Sequence, residues 1–274
     1  VETIASQVLR EEFRPGDCAI MYRTNAQSRV LEEAFIRAGM PYRLLGATRF
    51  YARREVKDLI AFLRLAYNPR DGVSLARVLN VPPRGIGHKT VAALQAAAGT
   101  DESPARLLLV LADEKTASPH HEAIGTRLAR PLVTFGTLLS RWIRAVEDEQ
   151  PVAELLQLIL KDTDYSSYIQ DGTESGRERW ENVQEFLKAA RDFGDTYLGA
   201  VLEQIALVAD VDSLGEEQDL SGAPSLMTLH SAKGLEFPLV FIVGLNDGVL
   251  PHRRSFAAPE EMAEDRRWFS VGLT

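Results

Sequence analysis

Between two short apolar runs, residues 225–229 and 239–243, the chain reads His230-Ser231-Ala232-Lys233-Gly234-Leu235-Glu236-Phe237. A hydroxyl, a cation, a glycine and a carboxylate this close together can serve two partners. Lys233 and the backbone amides can meet a phosphate, while Glu236 can accept hydrogen bonds from a ribose. The flanking runs have the compact apolar character of buried parallel strands, and open α/β sheets hold their ligands in loops at strand ends. The same residues also suit an ordinary solvated loop, and their chemistry leaves the two readings even.

A second constellation is Val81-Pro82-Pro83-Arg84-Gly85-Ile86-Gly87, ahead of a helix expected from near His88. Two glycines around one apolar residue let backbone amides face a phosphate at a helix N-terminus, and Arg84 and Lys89 add positive charge. A tight turn between helices has the same appearance. Leu107 to Glu114, LLLVLADE, imitates the strand and Asp-Glu pair of a magnesium site, but Pro104 and the helical spacing around it favour a helix ending in acids. His120-His121 has no cysteine or carboxylate at matching spacing and reads as a loop, so no metal site is expected. No G-x-x-x-x-G-K-[ST] occurs, and with it goes the main phosphate cradle of a P-loop enzyme.

The elements that must position these residues alternate in kind. Ile4, Val8 and Phe13 have helical spacing, and Cys18 to Tyr22 reads as a buried strand. Asn25 is placed to cap a helix with Val30, Leu31, Ala34, Phe35 and Ala38 on one face, which Gly39 ends. Tyr42 to Leu45 is a second strand. From Arg53 to about Ala209 nearly every segment has helical periodicity, with Trp142 and Trp180 on helical faces as core or interface residues. A polar linker, Asp210 to Pro224, leads back to two strands, and Pro259 opens a last helix. The order α/β, all-α, α/β predicts one sheet domain interrupted by a helical insertion.

Composition sets the outer bounds. Apolar residues are 45% and charged residues 26%, as in soluble globular proteins. The longest apolar stretch, Leu107 to Ala112, is far short of the ~18 residues of a membrane span, and the N-terminus has no export-signal core. One cysteine, Cys18, forbids an internal disulfide and suits a reducing cytoplasm. The formal net charge of −8 argues against nucleic-acid binding driven by bulk charge, so any DNA contact must use local basic surfaces.

Four stretches, in order, resemble the UvrD/PcrA/Rep helicases of superfamily one. TLHSAKGLEF (228–237) followed by VFIVGLNDGVLPH (240–252) resembles motif V and its continuation. AIMYRTNAQSRVLEEAF (19–35) resembles the strand and helix that open the conserved part of the second RecA-like domain, 2A. RFYARREVKDLIAFLRL (49–65) resembles the entry into the inserted helical domain, 2B, and EDRRWFSVGLT (264–274) resembles motif VI. The resemblance implies a RecA-like, P-loop-type parallel sheet domain lacking the P-loop itself, with residues 1–50 and 223–274 as its parts and 51–222 as 2B. It implies single-stranded DNA contacts at Arg23, Asn25, Arg49, His230, Lys233 and His252. It places Glu236, with Gly234, beside the nucleotide sugar, and a helix-hairpin-helix at Arg84, Gly85, Gly87 and Lys89 on duplex DNA.

The pattern also has gaps. The first RecA-like domain, its magnesium-holding Asp-Glu pair and its adenine-binding glutamine are not in this sequence; the chain stops one residue before the motif VI arginine, and Ser270 stands where an aromatic residue is common. The expectation is therefore the C-terminal portion of an ATP-dependent 3′–5′ DNA helicase acting in repair or replication, in a bacterial, nucleoid-associated cytoplasm. ATP and Mg2+ are its cofactors in the intact parent, and the fragment is expected to hydrolyse nothing alone. Its expected partners are single-stranded and duplex DNA, the N-terminal RecA-like domain and DNA-repair proteins, with no membrane. The rivals are a non-enzymatic DNA- or protein-binding module and the helicase part of a helicase–nuclease.

Overall fold

Five consecutive buried residues, Cys18–Tyr22, form β1, the strand on which the sheet is built. In the computed structural model, described for residues 1–9, 13–98, 103–113, 124–214, 220, 222–246, 250, 260, 263, 267 and 270, the chain divides into two compact units. The first joins Val1–Arg53 to Ala206–Thr274; the second, Arg54–Ile205, lies between those parts in sequence.

The first unit carries β2 (Arg43–Leu45), β3 (Ser225–Thr228) and β4 (Leu239–Ile242) beside β1. All pairings are parallel and the order is β2-β3-β1-β4. Alternate side chains go to opposite faces, as strand geometry requires. Cys18, Ile20, Tyr22 and Leu226 pack with Ile4 of α1 (Glu2–Leu9), Phe35 of α2 (Ser28–Arg37) and Tyr42. Ala19, Met21 and Met227 pack on the other face with Leu229, Ala232 and Leu250. Gly39 ends α2 at φ +63° as expected, but Asn25 does not cap it. Residues Asn25–Gln27 form a separate 3-10 turn before the helix.

The second unit is helical throughout its described residues: α3 (Arg54–Tyr67), α4 (Gly72–Val78), α5 (His88–Ala98), α6 (Pro104–Ala112), α7 (Thr126–Glu147), α8 (Val152–Thr163), α9 (Tyr165–Ile169) and α10 (Glu174–Asp192), with α11 (Leu198–Leu214) beginning in it. Trp142 is fully buried, edge-on to Phe62 and Phe135 at 5.5 and 5.9 Å between ring centroids. Gly136 of α7 lies against the Leu108 carbonyl of α6, leaving no room for a Cβ. The buried acids of α3 are all satisfied within this unit. Asn182 donates to Glu55 at 2.6 Å, while Arg77 and Tyr165 donate to Asp58 at 2.8 and 3.0 Å.

Residues 104–112 are helical, in keeping with the reading of LLLVLADE as a helix. Residues 210–214, expected to open a linker, instead continue α11 to Leu214, and 215–219 lie outside the described residues. Acidic residues do not by themselves end a helix, and the first strong breaker is Gly215. Among the described residues no helix is long and apolar enough to cross a membrane.

Candidate functional site

Parallel pairing puts the C-terminal ends of β1, β2 and β3 on one edge of the sheet, and the register makes them level. Tyr22 pairs with Thr228, and Leu45 pairs with Met227. The chain leaving each strand therefore emerges beside its neighbours: residues 23–27 after β1, 46–49 after β2 and 229–234 after β3. The β3 loop lies in the middle, because β3 lies between β2 and β1.

That middle loop is held from inside. The Leu229 amide donates to the Tyr22 carbonyl at 2.8 Å, and the Ala232 amide to the Thr228 carbonyl at 3.1 Å. Ala232 is 1% exposed and anchors the turn in the core, whereas His230, Lys233, Gly234 and Glu236 face solvent. Gly234 has φ +83°, a conformation glycine adopts without strain. The Thr228 and Ser231 hydroxyls are 3.0 Å apart, and the Ser231 amide donates to Thr228 Oγ1 at 3.2 Å. Gly46, at φ +74°, meets the same serine, since a Cβ there would come 2.6 Å from Ser231 Oγ. The β2 and β3 loops are thus in direct contact.

The β1 loop is shaped by Gln27, whose Oε1 accepts from the Arg23 and Thr24 amides at 3.0 and 2.9 Å. The Asn25 amide oxygen is buried with no hydrogen-bond partner among the described residues. Arg49 donates to the Tyr42 hydroxyl at 3.2 Å and lies 5.1 Å from that ring's centroid. Tyr42 in turn donates to Glu32 Oε2 at 3.4 Å, which also accepts the Phe50 amide at 3.1 Å. Burial, then the Glu32 carboxylate, pushes the Tyr22 hydroxyl above the ordinary tyrosine range. Arg23, Asn25, Arg49, His230 and Lys233 are therefore brought to one edge. His252 lies outside the described residues, as does most of 264–274.

The segment joining α4 to α5 holds Arg84 otherwise than as a solvent-facing cation. Arg84 turns inward, and its Nη1 donates to the Val78, Leu79 and Val81 carbonyls at 3.0, 3.2 and 2.9 Å. Burial pushes its pKa down to about 10, so it remains charged at neutral pH. The carbonyls left open at and just after the end of α4 find a donor in this guanidinium. The cation left facing solvent is Lys89, beside exposed Gly85 and Gly87. Asn80 Oδ1 accepts the Arg84 and Ile86 amides, which fixes the loop, and Gly85 takes φ +73°. The Gly87 carbonyl accepts from Thr90 and Val91, so α5 starts directly after the two glycines.

Several residues that build these sites were not singled out by sequence: Gln27, Glu32, Tyr42, Gly46, Arg53 and Asn80. Their types are common in loops and on helix surfaces, and only Gly46 carried a local signal, a glycine just after a strand. Among the described residues no three His, Cys, Asp or Glu side chains are grouped to hold a metal ion.

Comparison with known proteins agrees with this architecture. The model of the UvrD-like helicase C-terminal domain matches residues 1–274. The chain is 38% identical over 267 residues to the ATP-dependent DNA helicase PcrA of Bacillus subtilis, covering 94% of this chain and 35% of that protein. It is 36% identical over 283 residues to the ATP-dependent DNA helicase UvrD1 of Mycobacterium bovis, covering 96% of this chain and 36% of that protein. The PcrA protein of Staphylococcus aureus is 36% identical, with 94% and 35% covered. The chain thus spans about a third of the length of these relatives. A match along its whole length, joined to a parallel sheet with its loops gathered at one edge, settles its membership: the chain belongs to the UvrD-like helicase C-terminal domain family.

Proposed function

We propose that this chain is the C-terminal portion of an ATP-dependent DNA helicase that moves 3′ to 5′ on single-stranded DNA, in repair or replication. The observation that carries the reading is the level register of β1, β2 and β3, which gathers Arg23, Arg49, His230 and Lys233 on one edge. Arg23, Arg49 and Lys233 offer a local basic track in a chain whose net charge is −8. Contacts of this kind hold the phosphate backbone and read no sequence. Residues 1–53 with 206–274 correspond on this reading to domain 2A, and 54–205 to 2B. The solvent-facing amides and Lys89 of the 84–89 hairpin would hold duplex DNA by its backbone. Arg84 would keep that hairpin in shape rather than touch the DNA.

The nucleotide fits this chain as one wall of a cleft. Exposed Glu236 offers an acceptor for the ribose, and Gly234 lets the backbone approach closely. ATP, with Mg2+, would supply the free energy for stepping. Closing and reopening the cleft would displace the loops at the sheet edge together, since Gly46 and Ser231 are in contact. The phosphate cradle must come from elsewhere in the whole protein, so this chain alone is expected to release no phosphate from ATP.

A fluorescence-anisotropy titration tests the reading. The chain should bind a duplex with a 3′ single-stranded tail. Lys233→Ala and Arg23→Ala should each weaken binding about three- to tenfold, the scale of one lost charged contact. If neither change lowers affinity, the edge is not the DNA track.

A further inference from the structure

We infer that Arg53 is a positioning residue that fixes the spacing between two of the loops at the sheet edge, without touching the nucleic acid itself. Arg53 is 7% exposed, and each of its three guanidinium nitrogens holds a different piece of the first unit. Nε donates to the Thr48 carbonyl at 3.0 Å, Nη1 to the Asn25 carbonyl at 3.0 Å and Nη2 to the Ser28 hydroxyl at 2.7 Å. Thr48 belongs to the segment after β2, Asn25 to the turn after β1, and Ser28 opens α2. Glu32 Oε1 stands 3.9 Å from Nη2, and the Phe50 ring lies under the guanidinium with its centroid 5.2 Å away.

Burying a cation is costly unless its donors are used, and here the acceptors come from two segments, one at Asn25 and Ser28 and the other at Thr48, about twenty residues further along the chain. A planar fork of donors suits divergent acceptors, which one ammonium cannot reach together. The β1 and β2 loops have β3 between them, so the sheet provides no direct pairing of the two strands they leave. Arg53 provides the link. Arg23 and Asn25 on one side and Arg49 on the other are thereby held at a set separation, and a phosphate track needs that separation constant. The Glu32 carboxylate ties in the same region, through the Phe50 amide and, by way of Tyr42, to Arg49.

The inference rests on the proposed DNA track, and the experiment separates the two. The 274-residue chain is titrated with a fluorescent single strand at several salt concentrations, as wild type, Arg53→Lys, Ser28→Ala and Lys233→Ala, and each variant's amide hydrogen exchange is mapped. Arg53→Lys should lower affinity about fivefold or more while leaving the slope of log affinity against log salt unchanged, because no phosphate contact is lost. Lys233→Ala should reduce that slope by about 0.7, the value for one single-strand phosphate contact. Exchange in residues 23–27 and 46–50 should rise together in Arg53→Lys, with α10 unaffected. Ser28→Ala removes one acceptor, is milder if Arg53→Lys misfolds, and should give the same pattern at about twofold. A reduced slope in Arg53→Lys, exchange rising in only one segment, or wild-type affinity in both Arg53→Lys and Ser28→Ala would overturn the inference while the DNA track stood. A wild-type chain that binds no single strand overturns both.

Discussion

The guanidinium of Arg84 lies 5.0 Å from the centroid of the Phe135 ring, so a residue of the loop between α4 and α5 is seated on the middle of α7. Its three carbonyl acceptors fix the end of α4 at the same time. Arg84→Ala should destabilise the helical unit by about 2–3 kcal/mol, read by urea denaturation, from lost charge-assisted hydrogen bonds and packing. Arg84→Lys should recover only part, having no planar face to stack. Lys89→Ala should leave stability unchanged and weaken duplex binding. Weaker duplex binding in Arg84→Ala with full stability would make Arg84 a direct contact after all.

Gly46 and Ser231 offer a test by double-mutant cycle. Gly46→Ala forces a side chain into φ +74° and against Ser231 Oγ, for a cost of about 1–2 kcal/mol from the backbone alone plus the clash. Ser231→Ala costs about 1 kcal/mol through the lost pairing with Thr228. The double variant should be less destabilised than the sum, since the oxygen that clashes is gone. Simple additivity would mean that the two loops are not in contact in solution.

Asp58 gives the helical unit a pH signature. Burial raises its carboxyl above the ordinary range, against the opposing pull of the Arg77 guanidinium and the Tyr165 hydroxyl. A carboxyl whose pKa is higher folded than unfolded binds more protons in the folded state. Its contribution is complete below the unfolded value near about 4 and is lost as pH rises through the raised folded value. The stability advantage of wild type over Asp58→Asn should therefore shrink as pH rises from about 4 toward neutrality. An advantage that grows over that window would mean that the ion pair with Arg77 outweighs burial.

Salt dependence tests the local basic track. Direct phosphate contacts by Arg23, Arg49 and Lys233 give an expected slope of about −2 for log affinity against log salt on a single strand. A slope near zero would mean that binding, if seen, does not use these cations.

Some of this was readable along the chain. The run CAIMY names a buried strand, and the stretch after Arg53 shows helical spacing, because such patterns depend only on which neighbours share a face. The residue types of the 228–237 loop and its place between apolar runs mark it as a candidate site, and equally suit a solvated loop. The fates of individual charges were not readable. Arg53 and Arg54 are adjacent and identical, yet Arg53 is buried on the Asn25 and Thr48 carbonyls while Arg54 is exposed and donates to Tyr168. Arg84 reads as a surface cation beside two glycines and is instead an internal clasp. Its acceptors are the open carbonyls at the end of α4, and its aromatic platform lies some fifty residues on.

What the sequence by itself determined is the kind of most elements among the described residues and the resemblance to the family. What only the tertiary structure decided is adjacency. The first two strands look in sequence like a consecutive pair joined by α2, yet β3, whose pairing with β1 joins Ala19 to Ser225, lies between them. Periodicity is set by near neighbours, whereas strand order and the burial of a charge are set by groups that meet only after the whole helical unit has intervened. That placement makes the 229–234 loop the centre of the edge, flanked by the segments that carry Arg23 and Arg49.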